Sequence, residues 1–199
     1  PFTLASYLIE GGGSRNYIHA NKLYYTAPDV WQRLMQRLSE LITKYLNCQI
    51  AAGAQAVQLF DSWAGCLTPG DYEEFVLPYT RSVIAGITAG VPVINFSTGT
   101  AGLLKHIRAA GGDVIGLDWR INLDEGWATV GHDVAVQGNL DPVALFAPPK
   151  EIRRHVADVL DRAGNRPGHI FNLGHGVLPE TPVDHVVAMV EAVHELSAR

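Results

Sequence analysis

Short apolar runs alternate with longer segments of helical periodicity along the whole chain. The runs are rich in β-branched and aromatic residues and cover residues 56–60, 91–96, 114–117, 134–137 and 169–173. Each run has the length and composition of a buried strand. Strands that alternate with helices are typical of βαβ units and a parallel sheet. The pattern therefore predicts an α/β fold with five strands.

Helix positions are marked by apolar spacing and by residues typical of helix ends. One long helix is predicted by apolar residues that share a face, namely Val30, Leu34, Leu38, Leu41, Tyr45 and Leu46. Thr68 and Thr181 each precede Pro and are followed by Asp three residues later, which predicts two capped helix starts. Pro78 predicts a break in the helix begun at Thr68, and Gly164 predicts the end of a helix begun near Glu151.

The number of strands leaves two architectures open. Five βα repeats are fewer than an eight-stranded barrel requires, since such a barrel typically needs about 250 residues. The same repeats fit an open, doubly wound sheet. No linker or low-complexity segment interrupts the chain, so we predict a single domain over residues 1–199.

Charge and composition make some classes of partner unfavourable. The chain has 15 Lys and Arg against 20 Asp and Glu, a formal net charge of −5, which disfavours nucleic acid and anionic membranes as partners. No apolar run approaches the roughly 20 residues of a membrane helix, and the start has no signal-peptide pattern. The two cysteines form no CxxC motif, so we predict buried, reduced thiols and a cytoplasmic location.

Polar or glycine-rich residues follow every predicted strand. They are Asp61-Ser62-Trp63, Ser97-Thr98-Gly99, Asp118-Trp119-Arg120, Gly138-Asn139-Leu140-Asp141 and Gly174-His175-Gly176. In both candidate architectures ligands bind at the carboxyl ends of the strands. The sequence therefore predicts one polar ligand pocket.

Two residues among these strand ends are the best candidates for ligand contact. His175 lies between two glycines, which lets backbone and ligand approach closely, so it either bonds a ligand or bonds a loop carbonyl. Ser62 lacks the G-x-S-x-G pattern of a nucleophile, and it is interpreted as a ligand hydrogen bond or a turn residue. Asp118 and Arg120 form either a structural ion pair or a ligand contact.

The remaining motifs are less informative. Trp63, Trp119 and Trp127 either line an apolar pocket or belong to the core. The glycine-rich residues 10–14 lack phosphate-loop spacing and are interpreted as a lid or turn. No His, Cys or carboxylate cluster has metal-ligand spacing, so no metal is predicted.

Six segments in order resemble the uroporphyrinogen decarboxylase family. The most specific are QGNLDP at 137–142 and NLGHG at 172–176; the others lie at 1–14, 58–65, 77–79 and 116–119. The resemblance implies a (β/α)8 TIM barrel that removes the four acetate carboxyl groups of uroporphyrinogen III, giving coproporphyrinogen III, without a cofactor. It matches Tyr7, Ser62 and His175 to substrate-contacting residues and Phe60 to an apolar wall.

The resemblance also implies that part of the barrel lies outside this chain. The strands would be the fourth to eighth, and the family's arginine-rich segment and pyrrole-binding Asp fall upstream of Pro1. No catalytic residue is therefore assigned here. We expect little or no decarboxylation by the chain alone, and a homodimer for the full-length protein.

Two alternatives differ in chemistry. A corrinoid-linked methyltransferase of the same superfamily uses zinc held by His and Cys. This alternative is disfavoured because no H-x-C follows the 91–96 run and because the last strand is followed by Gly-His-Gly instead of Cys. A non-catalytic tetrapyrrole-binding relative stays open.

Overall fold

The computed structural model describes residues 1–12, 14 and 16–198. The strands are β1 (Val57–Phe60), β2 (Val93–Phe96), β3 (Val114–Gly116), β4 (Ala135–Leu140) and β5 (His169–Leu173). The helices are α1 (Phe2–Glu10), α2 (Ile18–Thr26), α3 (Pro28–Ala51), α4 (Pro69–Phe75), α5 (Leu77–Ala85), α6 (Leu104–Ala110), α7 (Leu123–Val130), α8 (Pro149–Ala163) and α9 (Val183–Ser197). All five predicted strands are present, and β4 extends three residues beyond its predicted end.

The chain forms two compact units, one from Pro1 to Val114 and one from Ile115 onward. In the first, β1 pairs with β2 in parallel, with Val57 opposite Val93. In the second, the strand order is β3-β4-β5 and β4 pairs with β5 in parallel. Strand order follows chain order within each unit, as it does in successive βα repeats of a barrel. The single domain over 1–199 stays a prediction.

The core of the first unit lies between the β1–β2 pair and the long helix α3. Its buried residues are Ile42, Leu46, Val57, Leu59, Val83 and Val93. Burying an aliphatic side chain of this size contributes about 1.5–3 kcal/mol. This packing holds the carboxyl ends of β1 and β2 in place.

The predicted apolar face of α3 was partly wrong. Val30, Leu41 and Tyr45 are exposed, whereas the buried series is Trp31, Met35, Leu38, Ser39, Ile42 and Leu46. Both series have helical spacing, so periodicity alone does not separate them. The Trp31 indole N–H donates to the carbonyl of Phe75 at 2.9 Å, which turns this side of the helix inward.

Three of the four predicted helix boundaries are confirmed. The Thr68 hydroxyl accepts the Asp71 N–H, and Gly164 ends α8 with φ 62°. The break between α4 and α5 lies at Val76, which places Pro78 in the first turn of α5. The cap at Thr181 was wrong. The Thr181 N–H donates to the carbonyl of Leu178 at 3.0 Å, which makes Thr181 part of the preceding turn and leaves Pro182 at the cap position.

Two further findings concern composition. Cys48 and Cys66 are free and exposed, so the prediction of buried thiols was wrong. Cys48 lies on the solvent side of α3, and Cys66 ends a short turn after β1. No helix in the part of the chain that the structure describes is long and apolar enough to span a membrane.

Candidate active site

The carboxyl ends of β1 and β2 are joined by hydrogen bonds in the first unit. The Asp61 N–H donates to the carbonyl of Phe96 at 2.8 Å, and the Thr98 hydroxyl donates to the carbonyl of Ser62. Gly65 fits against the same loop, because a Cβ there would lie 2.1 Å from the Thr98 carbonyl oxygen. The LFDSWAG motif therefore builds a rigid turn around Ser62.

Asp61 fixes the position of α1. Its buried carboxylate accepts the backbone N–H of Thr3 at 2.7 Å and that of Phe2 at 3.2 Å. These donors belong to the first turn of α1, where N–H groups have no partner within the helix. The Thr3 hydroxyl in turn accepts the Trp63 N–H at 3.1 Å. Bonds on both sides of Ser62 thus tie its loop to the helix that carries Tyr7.

Sequence reasoning did not assign this role to Asp61. The carboxylate and its partners are 58 and 59 residues apart in the chain, so no local pattern relates them. The one available signal is an acidic residue directly after a buried strand, where a charge needs a partner.

The three predicted contact residues of the first unit differ in exposure. Tyr7 is 53% exposed and Phe60 is 60% exposed, with the Phe60 ring packed at 5.8 Å against Phe96. Ser62 is half-buried, and its hydroxyl makes no hydrogen bond to other described residues. All three side chains are accessible to a ligand.

Aromatic side chains pack behind the Ser62 turn. Tyr17 is buried, and its ring lies 6.1 Å from Trp63 and 6.2 Å from Phe2. Burial raises the pKa of the Tyr17 phenol, and the nearby Cys66 and Tyr7 raise that pKa further. Tyr17 therefore stays a neutral phenol around pH 7.

The glycine-rich segment behind α1 is a turn where the structure describes it. Gly11 ends α1 with φ 68°, and the Glu10 carboxylate accepts the Ala20 N–H at 3.0 Å. The Ser14 hydroxyl accepts the Tyr17 N–H at 2.9 Å. Gly13, in the middle of the predicted lid or turn, lies outside the described residues.

In the second unit, the QGNLDP motif holds the loop after β3. The buried Asn139 side chain donates to the carbonyls of Asp118 at 3.0 Å and Ile121 at 2.7 Å. Gly138 packs against that loop so closely that a Cβ would lie 2.5 Å from the Leu117 carbonyl oxygen. The motif thus fixes the backbone that carries Trp119 and Arg120.

Asp118 and Arg120 form an ion pair. The Asp118 side chain is buried and accepts from Nη1 of Arg120 at 2.7 Å, while the Arg120 N–H donates to Oδ1 at 3.1 Å. The Arg120 guanidinium carbon lies 3.9 Å from the centre of the Trp119 ring. Of the three tryptophans considered from sequence, Trp127 is a core residue, whereas Trp63 and Trp119 are partly exposed at strand ends.

His175 lies against the same tryptophan. Its ring is 6.3 Å from that of Trp119 in an edge-to-face arrangement. The Gly176 N–H donates to Nδ1 at 2.7 Å, so in the neutral ring the proton is on Nε2, which is a donor. Gly174 permits this arrangement, because a Cβ at that position would lie 2.4 Å from the Trp119 nitrogen.

Each unit has parallel strands with polar side chains at their carboxyl ends, which defines the class as an α/β protein. Among the described residues, no group of three or more His, Cys, Asp or Glu is placed to hold a metal ion. The family model for uroporphyrinogen decarboxylase matches residues 1–196, and the chain belongs to that family. The predicted α/β fold of the (β/α)8 barrel class is confirmed, and so is the family resemblance.

Individual relatives agree with the family match. A protein of Carboxydothermus hydrogenoformans named uroporphyrinogen decarboxylase is 58% identical over the whole chain, which covers 57% of that relative. One of the same name from Roseiflexus is 56% identical, with 59% of it covered. The chain thus spans less than two thirds of the length of these relatives.

A solved structure of a methyltransferase from Methanosarcina mazei has the same fold. It matches with a TM-score of 0.80 at 19% identity, over 89% of this chain and 52% of that one. At this identity the likeness concerns the fold alone.

Proposed function

We propose that the protein is a uroporphyrinogen decarboxylase, which converts uroporphyrinogen III to coproporphyrinogen III. The proposal is carried by the 58% identity, over all 199 residues, with a relative of that name. In the reaction the bond between each acetate methylene and its carboxylate breaks, and CO₂ leaves. The released electron pair enters the protonated, iminium-like pyrrole, and a proton then adds to the exocyclic methylene to give the methyl group. The ring finally loses its added proton, so that one proton is consumed for each CO₂ released. No cofactor is required, because the pyrrole is the electron acceptor.

The proposed contacts follow from the chemistry of the accessible groups. Tyr7 and Ser62 donate hydroxyl hydrogen bonds to substrate carboxylates beside the reacting acetate, and His175 donates from Nε2 to a carboxylate. Phe60, exposed and backed by Phe96, provides an apolar wall for a pyrrole ring. Such fixed donors favour one orientation of the acetate, which lowers the barrier to CO₂ loss. Support comes from the exposed Tyr7 ring, the accessible Ser62 and the donor orientation of His175.

The location and assembly state belong to the same proposal. Both cysteines are free, which is typical of a reducing compartment such as the cytoplasm. We propose a homodimer as the functional form, and its mass in solution by light scattering tests this.

The test of the reaction is anaerobic incubation of the full-length protein, of which this chain is expected to be the carboxyl-terminal part, with uroporphyrinogen III. We expect CO₂ and coproporphyrinogen III, detected by chromatography after oxidation to porphyrins. Added zinc should leave the rate unchanged. Tight binding of the tetrapyrrole without CO₂ would instead indicate a non-catalytic relative, and a stoichiometric zinc ion with methyl transfer would indicate the methyltransferase.

Removing either proposed hydroxyl donor should slow the reaction. Tyr7→Phe and Ser62→Ala are each expected to lower kcat/KM about 10- to 100-fold, because a hydrogen bond to a charged group contributes about 1.5–3 kcal/mol. Steady-state assays with uroporphyrinogen measure the effect. Matched controls are Tyr45→Phe and Ser82→Ala, whose side chains are exposed on α3 and α5. Wild-type rates in the Tyr7 or Ser62 variant would refute the role of that residue.

A further inference from the structure

An octacarboxylate substrate needs cationic partners, and few are available at the strand ends of this chain. The loops that follow the strands cover residues 61–68, 97–103, 117–122, 141–148 and 174–182. In the sequence of these five loops, Arg120 is the single Lys or Arg. Ligands of this fold bind at these loops, so Arg120 has the charge and the place for a carboxylate contact.

The guanidinium of Arg120 is held in place while half of the side chain stays open to solvent. Asp118 accepts from Nη1 at 2.7 Å, and the Trp119 ring lies 3.9 Å from the guanidinium carbon. The Asp118 side chain is 2% exposed, whereas that of Arg120 is 50% exposed. A guanidinium has five N–H donors, so the pairing leaves donors for a second carboxylate. Because one edge of the guanidinium is already held by Asp118, less conformational entropy is lost when a carboxylate binds the other edge.

The loop that carries Arg120 has other supports besides this arginine. Asn139 already holds the carbonyls of Asp118 and Ile121, and Gly138 packs beneath Leu117. The backbone N–H of Arg120 also donates to Oδ1 of Asp118, a bond that does not need an arginine side chain. A structural role alone therefore explains the arginine poorly.

A second donor lies on the same aromatic ring. His175 packs edge-to-face on Trp119, and its Nδ1 accepts the Gly176 N–H, so that the neutral imidazole carries its donor proton on Nε2. Trp119 thus carries a cation on its face and contacts an imidazole donor, both from the second unit. Two donors on one rigid ring suit an anionic group.

We propose that Arg120 binds a carboxylate of the tetrapyrrole and that Asp118 positions it for this contact. The inference rests on the proposed function, since the carboxylate belongs to that substrate. Arg120 contributes to substrate binding and takes no part in proton transfer.

The test is binding of uroporphyrin, a stable octacarboxylate, measured by titration of porphyrin absorbance. Arg120→Gln should weaken binding about tenfold and raise KM for uroporphyrinogen by a similar factor, with little change in kcat. Arg120→Lys should recover part of the affinity, because it restores the charge without the planar fork. Arg154→Gln is the control, since Arg154 is an exposed α8 residue paired with Glu151. The double variant Asp118→Asn/Arg120→Gln removes the buried carboxylate too and keeps the test valid if the single variant folds poorly.

The outcomes separate this inference from the proposed function. Absence of CO₂ release by the full-length wild-type protein would refute the decarboxylase, while weaker uroporphyrin binding by Arg120→Gln would still support the carboxylate contact. Wild-type uroporphyrin affinity and KM in both the single and the double variant would overturn the role of Arg120. An equal loss of affinity in Arg120→Gln and Arg154→Gln would also overturn it, because only a general charge effect would remain.

Discussion

Replacing Asp61 with alanine is expected to lower the free energy of unfolding by about 3 kcal/mol. The variant loses two charge-assisted hydrogen bonds, from the N–H groups of Phe2 and Thr3, at a carboxylate that is only 1% exposed. It also leaves the first turn of α1 without an acceptor, as removal of a helix cap does. Thermal unfolding should show a midpoint lower by about 6–12 °C.

Asp61→Asn should lower the free energy of unfolding by an intermediate amount. Its amide oxygen still accepts one N–H, while its NH₂ group faces the other donor. The matched control is Asp141→Ala, because Asp141 caps the short helical turn 142–146 through one exposed bond, from the Val143 N–H at 2.9 Å. This control variant should lower the free energy of unfolding by about 1 kcal/mol. Equal midpoints for wild type and Asp61→Ala would contradict the assigned role. Since α1 carries Tyr7, kcat/KM should fall together with stability in the Asp61 variants.

Replacing Gly174 with alanine should have the largest effect on the second unit. The added Cβ would lie 2.4 Å from the Trp119 nitrogen and 3.0 Å from the Asp118 carbonyl carbon. Both are backbone atoms of a loop held by Asn139, so neither side relaxes easily. The loop that carries His175 must therefore move away from Trp119. We expect about 2–3 kcal/mol of destabilisation.

A shift of about 1 Å in a substrate contact lowers activity about 100-fold, and we expect a loss of that order in kcat/KM for Gly174→Ala. Gly176→Ala is the matched control on the other side of His175, since a Cβ there meets nothing within 4 Å. Thermal unfolding and uroporphyrinogen turnover of the two variants provide the comparison. Equal stability and equal kcat/KM in the two alanine variants would contradict the claim that the close packing of Gly174 on Trp119 positions His175.

The local sequence pattern predicted most of the helices and strands, but it predicted the buried face of α3 only in part. Runs of β-branched and aromatic residues marked the strands, because strand formation at these positions agrees with local propensity. β4 was predicted too short, since Gly138 and Asn139 are poor strand formers that tertiary contacts keep in the sheet. The face of α3 was mistaken because two interleaved apolar series fit one helix, and contacts with Phe75 decide between them.

The candidate site was predictable where it depends on strand ends. Ser62 and His175 lie in the loops that begin after β1 and β5. Both were identified because ligands of this fold bind at the carboxyl ends of the strands. Tyr7 lies on a helix without a preceding strand in this chain, and only the family resemblance identified it. The partners of Asp61 and the contact of Gly174 with Trp119 join residues more than 50 positions apart, which periodicity and spacing do not report.

The anchoring of α1 by Asp61 also has a consequence for the order of folding. Its bonds close a loop of 58 residues, so they bring their full benefit only after β1 has paired with β2 and fixed the acceptor. We expect the amide protons of Phe2 and Thr3 to be shielded from exchange with solvent only while that strand pair is intact. We therefore expect the helix carrying Tyr7 to be among the late-forming parts of the first unit, with its docking dependent on the strand that precedes Ser62.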